Sequence, residues 1–184
     1  GKASLFQAID YFDSIVKNDI SRVDSVKRDV EKAKSLLRSY ARHVGSQAPL
    51  ETIRKDMLAN QADTFDQVTL YSYIDALKKI FVIEDAPAWN PNIRSKTAIR
   101  STDTRYFIDP SIATAALGIG PKDLTQDLNT MGLLFENLAV RDLRIYSELL
   151  DGSVYHYRDK SGLECDAVIH LRNGSYGLVE IKLG

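Results

Sequence analysis

Near the end of the chain, ECDAVIHL (164–171) and YGLVEIKL (176–183) flank the dipeptide Asn173-Gly174. Both runs alternate apolar and polar residues, and Asn-Gly readily supplies the positive φ angles of a tight turn, so two antiparallel strands are expected. Side chains alternate along a strand, which puts Ala167, Ile169 and Leu171 on one face and Glu164, Asp166 and Val168 on the other. On the second strand Val179, Ile181 and Leu183 oppose Glu180 and Lys182 in the same way. The apolar sets can form one buried layer only if they meet on one face, and this fixes the register. A two-residue loop pairs 172 with 175 and sends the two acids to different faces. A three-residue loop with Gly174 as its bulge residue pairs 171 with 175 and sets Asp166 across from Glu180. Directly opposed Cβ atoms lie about 5 Å apart, so the two carboxylates repel, and a divalent cation is the natural remedy. The alternative is a wet outer face whose charges meet only solvent.

The helix before these strands contributes a third acid. In DLNTMGLLFENLAVRDLRIYSELL (127–150), Glu136 has Gly132, Leu133, Ala139, Val140 and Leu143 among its helical neighbours. A carboxylate inside an apolar stripe is costly unless it meets a partner, and the sheet face carrying Asp166 and Lys182 would supply one.

Upstream, helical periodicity covers 3–18, with Leu5, Ile9, Phe12 and Val16 on one stripe, and 31–46, with Leu36, Leu37, Tyr40 and Val44 inward. A short helix follows Pro49, and Thr64 with Gln67 suggests a capping box for a helix carrying Leu70, Ile74, Leu77 and Phe81. FVIED (81–85) reads as a strand. Three short helices and a strand are the layout of a winged helix-turn-helix. Asp66, Ser72, Asp75 and Lys79 on the outer side of the third helix are mixed in charge, which suits phosphate poorly. The basic segment RSKTAIRSTDTR (94–105) suits it better: Arg94, Lys96, Arg100 and Arg105 face a single acid, Asp103. A solvated loop is the alternative reading there. RYFID (105–109) is then a short extended entry, and Pro110 and Pro121 open further helices.

Composition excludes several classes of function. The net charge of −1 gives no global attraction to nucleic acid, so any such binding needs a local patch. A single cysteine, Cys165, rules out an intrachain disulfide and any multi-cysteine zinc site, and fits a reducing, cytoplasmic setting. No apolar run approaches the ~20 residues that span a bilayer, so no membrane association is expected. Neither GxxxxGK[ST] nor GxGxxG occurs, so ATP chemistry is not encoded here.

A helix with Glu136, a strand, a strand with Asp166 and a strand with Glu180-Ile181-Lys182 is similar to the PD-(D/E)XK nuclease core, with Cys165 where proline usually precedes the aspartate. GLLFENLAVRDL, YHYRDKSGLECDAVI and VEIKLG, together with RYFIDPSIATAALGI and YFDSIVKNDISRVD, resemble bacterial AAA+ ATPases whose core is followed by a winged helix and a nuclease-like domain of unknown function.

The resemblance implies an α+β chain. Residues 1–30 would be a helical linker from an ATPase core, 31–98 a winged helix, and 99–184 a restriction-endonuclease-like core of one helix and a three-stranded, mainly antiparallel sheet. It also implies that the chain is part of a longer protein, continuing at both ends, with ATP bound only in the absent AAA+ core. Asp166 and Glu180 would bind Mg²⁺ with the Ile181 backbone carbonyl, and Lys182 would orient or activate the attacking water. Glu136 would support the metal directly or through water. Glu164 could hold a second ion, although a surface charge is the simpler reading. The implied activity is phosphodiester hydrolysis in DNA or RNA. A catalytically silent module that binds DNA or protein, in a protein able to oligomerise, is the rival.

Overall fold

In a computed structural model, residues 2–59, 64–91 and 102–184 are described. The chain is a mixed α and β structure in which a helical part precedes a three-stranded antiparallel sheet. Helix α1 (Lys2–Ser14) runs through a π turn (Ile15–Asp19) into the short α2 (Ile20–Arg22). Of its expected stripe only the second half is buried. Phe12 and Val16 enter the core, whereas Leu5 and Ile9 are exposed.

Helix α3 (Val30–Arg42) starts where the Asp29 carboxylate accepts from Lys32 N, and Leu36, Leu37, Tyr40 and Val44 all lie in the core as their spacing requires. Helix α4 (Leu50–Leu58) follows Pro49. Helix α5 (Gln67–Lys79) is capped by Asp66, whose carboxylate accepts from Thr69 N at 2.7 Å, and not by the expected Thr64–Gln67 box. A cap has to sit immediately before the first helical residue, and Thr64 lies too far out.

The strand expected at 81–85 does not form. Helix α5 ends at Lys79, and Phe81 takes φ 56°, which turns its ring into solvent. The backbone beyond makes isolated antiparallel bridges, Ile83 with Phe107 and Ala86 with Thr104. The 104–108 segment, which overlaps the extended entry expected at 105–109, is therefore held from several sides. Tyr106 O accepts from Glu84 N, and Gly45 N donates to Arg105 O at 2.9 Å. Asn137, fully buried, accepts from Phe107 N and donates to Phe107 O.

Helices α6 (Pro110–Leu117) and α7 (Pro121–Gln126) lead to the long α8 (Leu128–Glu148), capped by Asp127. Strands β1 (Gly152–Arg158), β2 (Glu164–Leu171) and β3 (Tyr176–Val179) follow in spatial order β1-β2-β3. β2 pairs β3 through Ala167–Val179 and His170–Tyr176, and Leu171 N donates to Ser175 O. This is the register of the three-residue loop, with Gly174 at φ +89°. β3 is shorter than expected, and residues 180–184 form no ladder. One hydrophobic core runs from Phe12 in α1 to Ala167 in β2, with Ile169, Val179 and Ile181 packed against it. Among the described residues no helix is long and apolar enough to cross a membrane.

Candidate functional site

The fixed 104–108 segment places Tyr106 against α8. Its hydroxyl donates to Glu136 Oε1 at 2.5 Å. Asn137 is the next residue on the helix, and its paired bonds to Phe107 lock the two elements together. The partner that Glu136 needs in its apolar stripe includes one not expected from the sequence, Tyr106, in addition to the sheet face of Asp166 that shares its cleft. Tyrosines are common in buried segments, so only the chain path around residue 106 identifies this one.

Glu136 and Asp166 line a single cleft of about 310 Å³ with Gly45, Gln47, Tyr106 and His156. Its walls thus come from the turn after α3, the 104–108 segment, α8 and the sheet. Gly45 belongs here for a steric reason. Its φ is +70°, and a Cβ on it would sit 2.9 Å from Leu133 Cδ2 and 3.4 Å from Glu136 Oε1.

Burial raises the Glu136 pKa to about 7, and the negative charges of Asp166, Glu164 and Glu180 add to the shift against the Tyr106 hydrogen bond. Asp166 is raised too, chiefly by burial, with Glu180 and Glu164 adding and the Ile181 N–H and Lys182 opposing. The same burial and the adjacent Glu136 carboxylate push the Tyr106 phenol up, so it stays a proton donor.

Extending the observed register by one pair sets Asp166 across from Glu180. Asp166 Oδ2 accepts from the Ile181 N–H at 2.7 Å. Lys182 Nζ lies 3.5 Å from Glu180 Oε1, and both side chains are well exposed. Glu164 is exposed and lies 3.8 Å from Arg158, which matches a surface charge. Expected convergence of these groups on one cation position is not seen as the side chains stand. Among the described residues no group of three His, Cys, Asp or Glu is gathered to hold a metal ion.

Arg105 requires a correction. It was expected on a basic patch, yet its side chain is 7% exposed and its Nη1 meets Asp85 at 2.6 Å. Asp85 also takes Lys78 Nζ at 2.9 Å and the Tyr40 hydroxyl, so Arg105 serves a buried charge network and cannot reach a phosphate. Arg94, Lys96 and Arg100 lie outside the described residues.

His156 was not anticipated. It sits at a β-bulge, where the β1–β2 register shifts between Tyr155 and Tyr157. Gln47 Nε2 contacts its Nδ1 at 3.0 Å, its Nε2 is buried, and burial lowers its pKa against the backbone of Thr102. Alternation in VYHYR gives no sign of the bulge that turns this ring inward.

The model of a domain of unknown function, DUF8612, matches residues 2–123. The chain belongs to the DUF8612 family. A second domain of unknown function, DUF4143, matches residues 131–184 and is known from AAA-ATPase-associated proteins. The cleft lies where the two matched regions meet: Gly45, Gln47 and Tyr106 belong to the DUF8612 region, Glu136, His156 and Asp166 to the DUF4143 region. No curated protein and no solved structure matches the chain.

Proposed function

We propose that the cleft is the centre of a Mg²⁺-dependent nuclease-like domain that hydrolyses phosphodiester bonds in DNA or RNA, attached in the whole protein to an AAA+ ATPase core. One observation carries the reading. Glu136, from a helix, and Asp166, from the neighbouring sheet, line the same cleft, and the hairpin register extended by one pair would set Asp166 opposite Glu180. Such a set of hard oxygen donors suits Mg²⁺, and a cation there would offset both the burial that raises Glu136 and Asp166 and the smaller repulsion from Glu164 and Glu180.

Asp166, Glu180 and the Ile181 carbonyl would hold the ion, with Glu136 supporting them directly or through water. A bound Mg²⁺ supplies Lewis-acid stabilisation of charge on a phosphoryl oxygen. Lys182, beside Glu180, would orient the attacking water and offset developing negative charge.

The test is Mg²⁺ and Mn²⁺ calorimetry combined with cleavage of labelled DNA and RNA. Asp166→Asn should abolish metal binding and Glu136→Gln should weaken it. Lys182→Ala should keep the affinity and lose turnover. A wild type that takes up neither ion at millimolar concentration would overturn the reading.

A second reading is a catalytically silent module that binds DNA or a protein partner for the ATPase. It is favoured by the bond that Asp166 already makes to Ile181 N–H and by the exposure of Lys182. Mg²⁺ binding with no hydrolysis of any nucleic acid would select it.

A further inference from the structure

The sheet face that carries Asp166 and Glu180 ends in aromatic rings. Asp166, Val168 and His170 alternate onto one face of β2, as Tyr176, Leu178 and Glu180 do along β3 and its extension, and His170 pairs directly with Tyr176. The acid pair and the ring pair are therefore four residues apart on the same two strands, about 13 Å along a strand.

Trp89 joins the rings from outside the hairpin. The Pro87–Trp89 segment is tied to the edge of β1, with Ala88 bridging His156 in parallel, Trp89 N donating to His156 O at 2.6 Å and His156 N donating to Pro87 O. From there the indole lies 4.8 Å from Tyr176 and 6.2 Å from His170, ring centre to ring centre, and also contacts Tyr157 at 6.1 Å. Tyr176 is 57% exposed, so the cluster keeps an open surface. The indole N–H is buried with no acceptor among the described residues, so no hydrogen bond holds the ring in place.

We propose that Trp89, His170 and Tyr176 form a stacking platform for the bases of single-stranded nucleic acid, whose phosphates would be met at the acid end of the same face only through a bound Mg²⁺. The proposal rests on the phosphodiesterase reading of the cleft and adds a substrate class to it. Every base presents a π face, so aromatic stacking binds strands of many sequences and contributes about 1–3 kcal/mol per base. In a duplex the bases already stack on one another and cannot reach the rings, so the platform selects unpaired strands. Exposed Arg172, in the turn beside His170, puts a positive charge at the ring end.

Trp89 is the single tryptophan of the chain, so its fluorescence reports on the platform directly. The experiment titrates the protein in EDTA with oligo-dT, oligo-U, an abasic oligonucleotide of equal length, a blunt duplex and a proline-rich peptide. Oligo-dT and oligo-U should quench to saturation, the abasic strand and the duplex weakly or not at all. Tyr176→Ala should weaken oligo-dT binding roughly 5- to 100-fold, the loss expected from one stacked base, and Tyr176→Phe should restore it. Equal quenching by the abasic strand, absence of quenching by both strands, or quenching by the peptide alone would each overturn the proposal. Because metal is absent, failure here is separate from failure of Mg²⁺ binding in calorimetry, which tests the cleft itself.

Discussion

The Tyr106 hydroxyl and the Glu136 carboxylate are joined at 2.5 Å in the wall of the cleft, and this pair links the 104–108 segment to the acid on α8. The bond favours the charged carboxylate and works against burial, which raises its pKa from 4.5 to about 7. A folded-state pKa above the unfolded one means that the native state binds more protons between those values. The contribution of Glu136 to stability is then fully present below about pH 4.5 and is lost as pH rises through 7. The loss is on the order of 3 kcal/mol at most, from the size of the shift. Urea unfolding at pH 5 and pH 8 should show it in the wild type, and Glu136→Gln should flatten that part of the profile. Tyr106→Phe should move the Glu136 titration further up, read by carboxyl NMR shifts.

Asn137 should matter as much to the fold as to the cleft. Replacing it with Leu leaves the buried Phe107 N–H and C=O without partners, at about 1–3 kcal/mol for each group. Denaturant midpoints measure the loss. Weakened Tyr106–Glu136 coupling, seen as a shifted Glu136 titration, should accompany it.

The Asp85 network predicts a dissociation of stability from nucleic-acid binding. Asp85→Ala leaves Arg105 buried without its carboxylate and should cost about 3–5 kcal/mol. Arg105→Ala should destabilise in the same assay while leaving the salt dependence of oligonucleotide binding unchanged, because its guanidinium is sealed. A changed salt slope would return Arg105 to the phosphate contacts.

Local signals read well where one residue type decides the outcome. The buried stripe of α3, the long helix that opens at Asp127 and the three-residue hairpin loop all follow from side chains near in sequence. The register from Leu171–Ser175 to Ala167–Val179 follows from matching the apolar faces, since a slip would have buried charges. What was illegible depends on distant chain. Phe81 continues the α5 period in sequence but leaves it at positive φ, because the backbone turns back to meet 104–108. The partner of Glu136, the inward turn of His156 at its bulge and the burial of Arg105 all require knowing which segments meet. Only Glu136, a carboxylate in an apolar stripe, left a visible trace in the sequence, and its partner did not.

The last prediction separates two costs at glycines of the same backbone geometry. Gly45 and Gly118 both have φ +70°. A Cβ at Gly118 meets nothing within 4 Å, so Gly118→Ala should cost only the left-handed backbone penalty, about 1–2 kcal/mol. At Gly45 the same backbone penalty applies, and the new methyl also presses on Leu133 Cδ2 at 2.9 Å and Glu136 Oε1 at 3.4 Å. Gly45→Ala should therefore destabilise more than Gly118→Ala, and the excess is the strain of pushing α8 away from the turn after α3. That displacement acts on the site itself: Glu136 must move, and its bond to Tyr106 lengthens. Gly45→Ala should thus shift the Glu136 titration and alter Mg²⁺ affinity, while Gly118→Ala should leave both at wild-type values. Paired denaturant melts and carboxyl NMR titrations decide it. Equal losses of stability with an unmoved Glu136 would mean that the turn yields to the methyl group without disturbing the cleft.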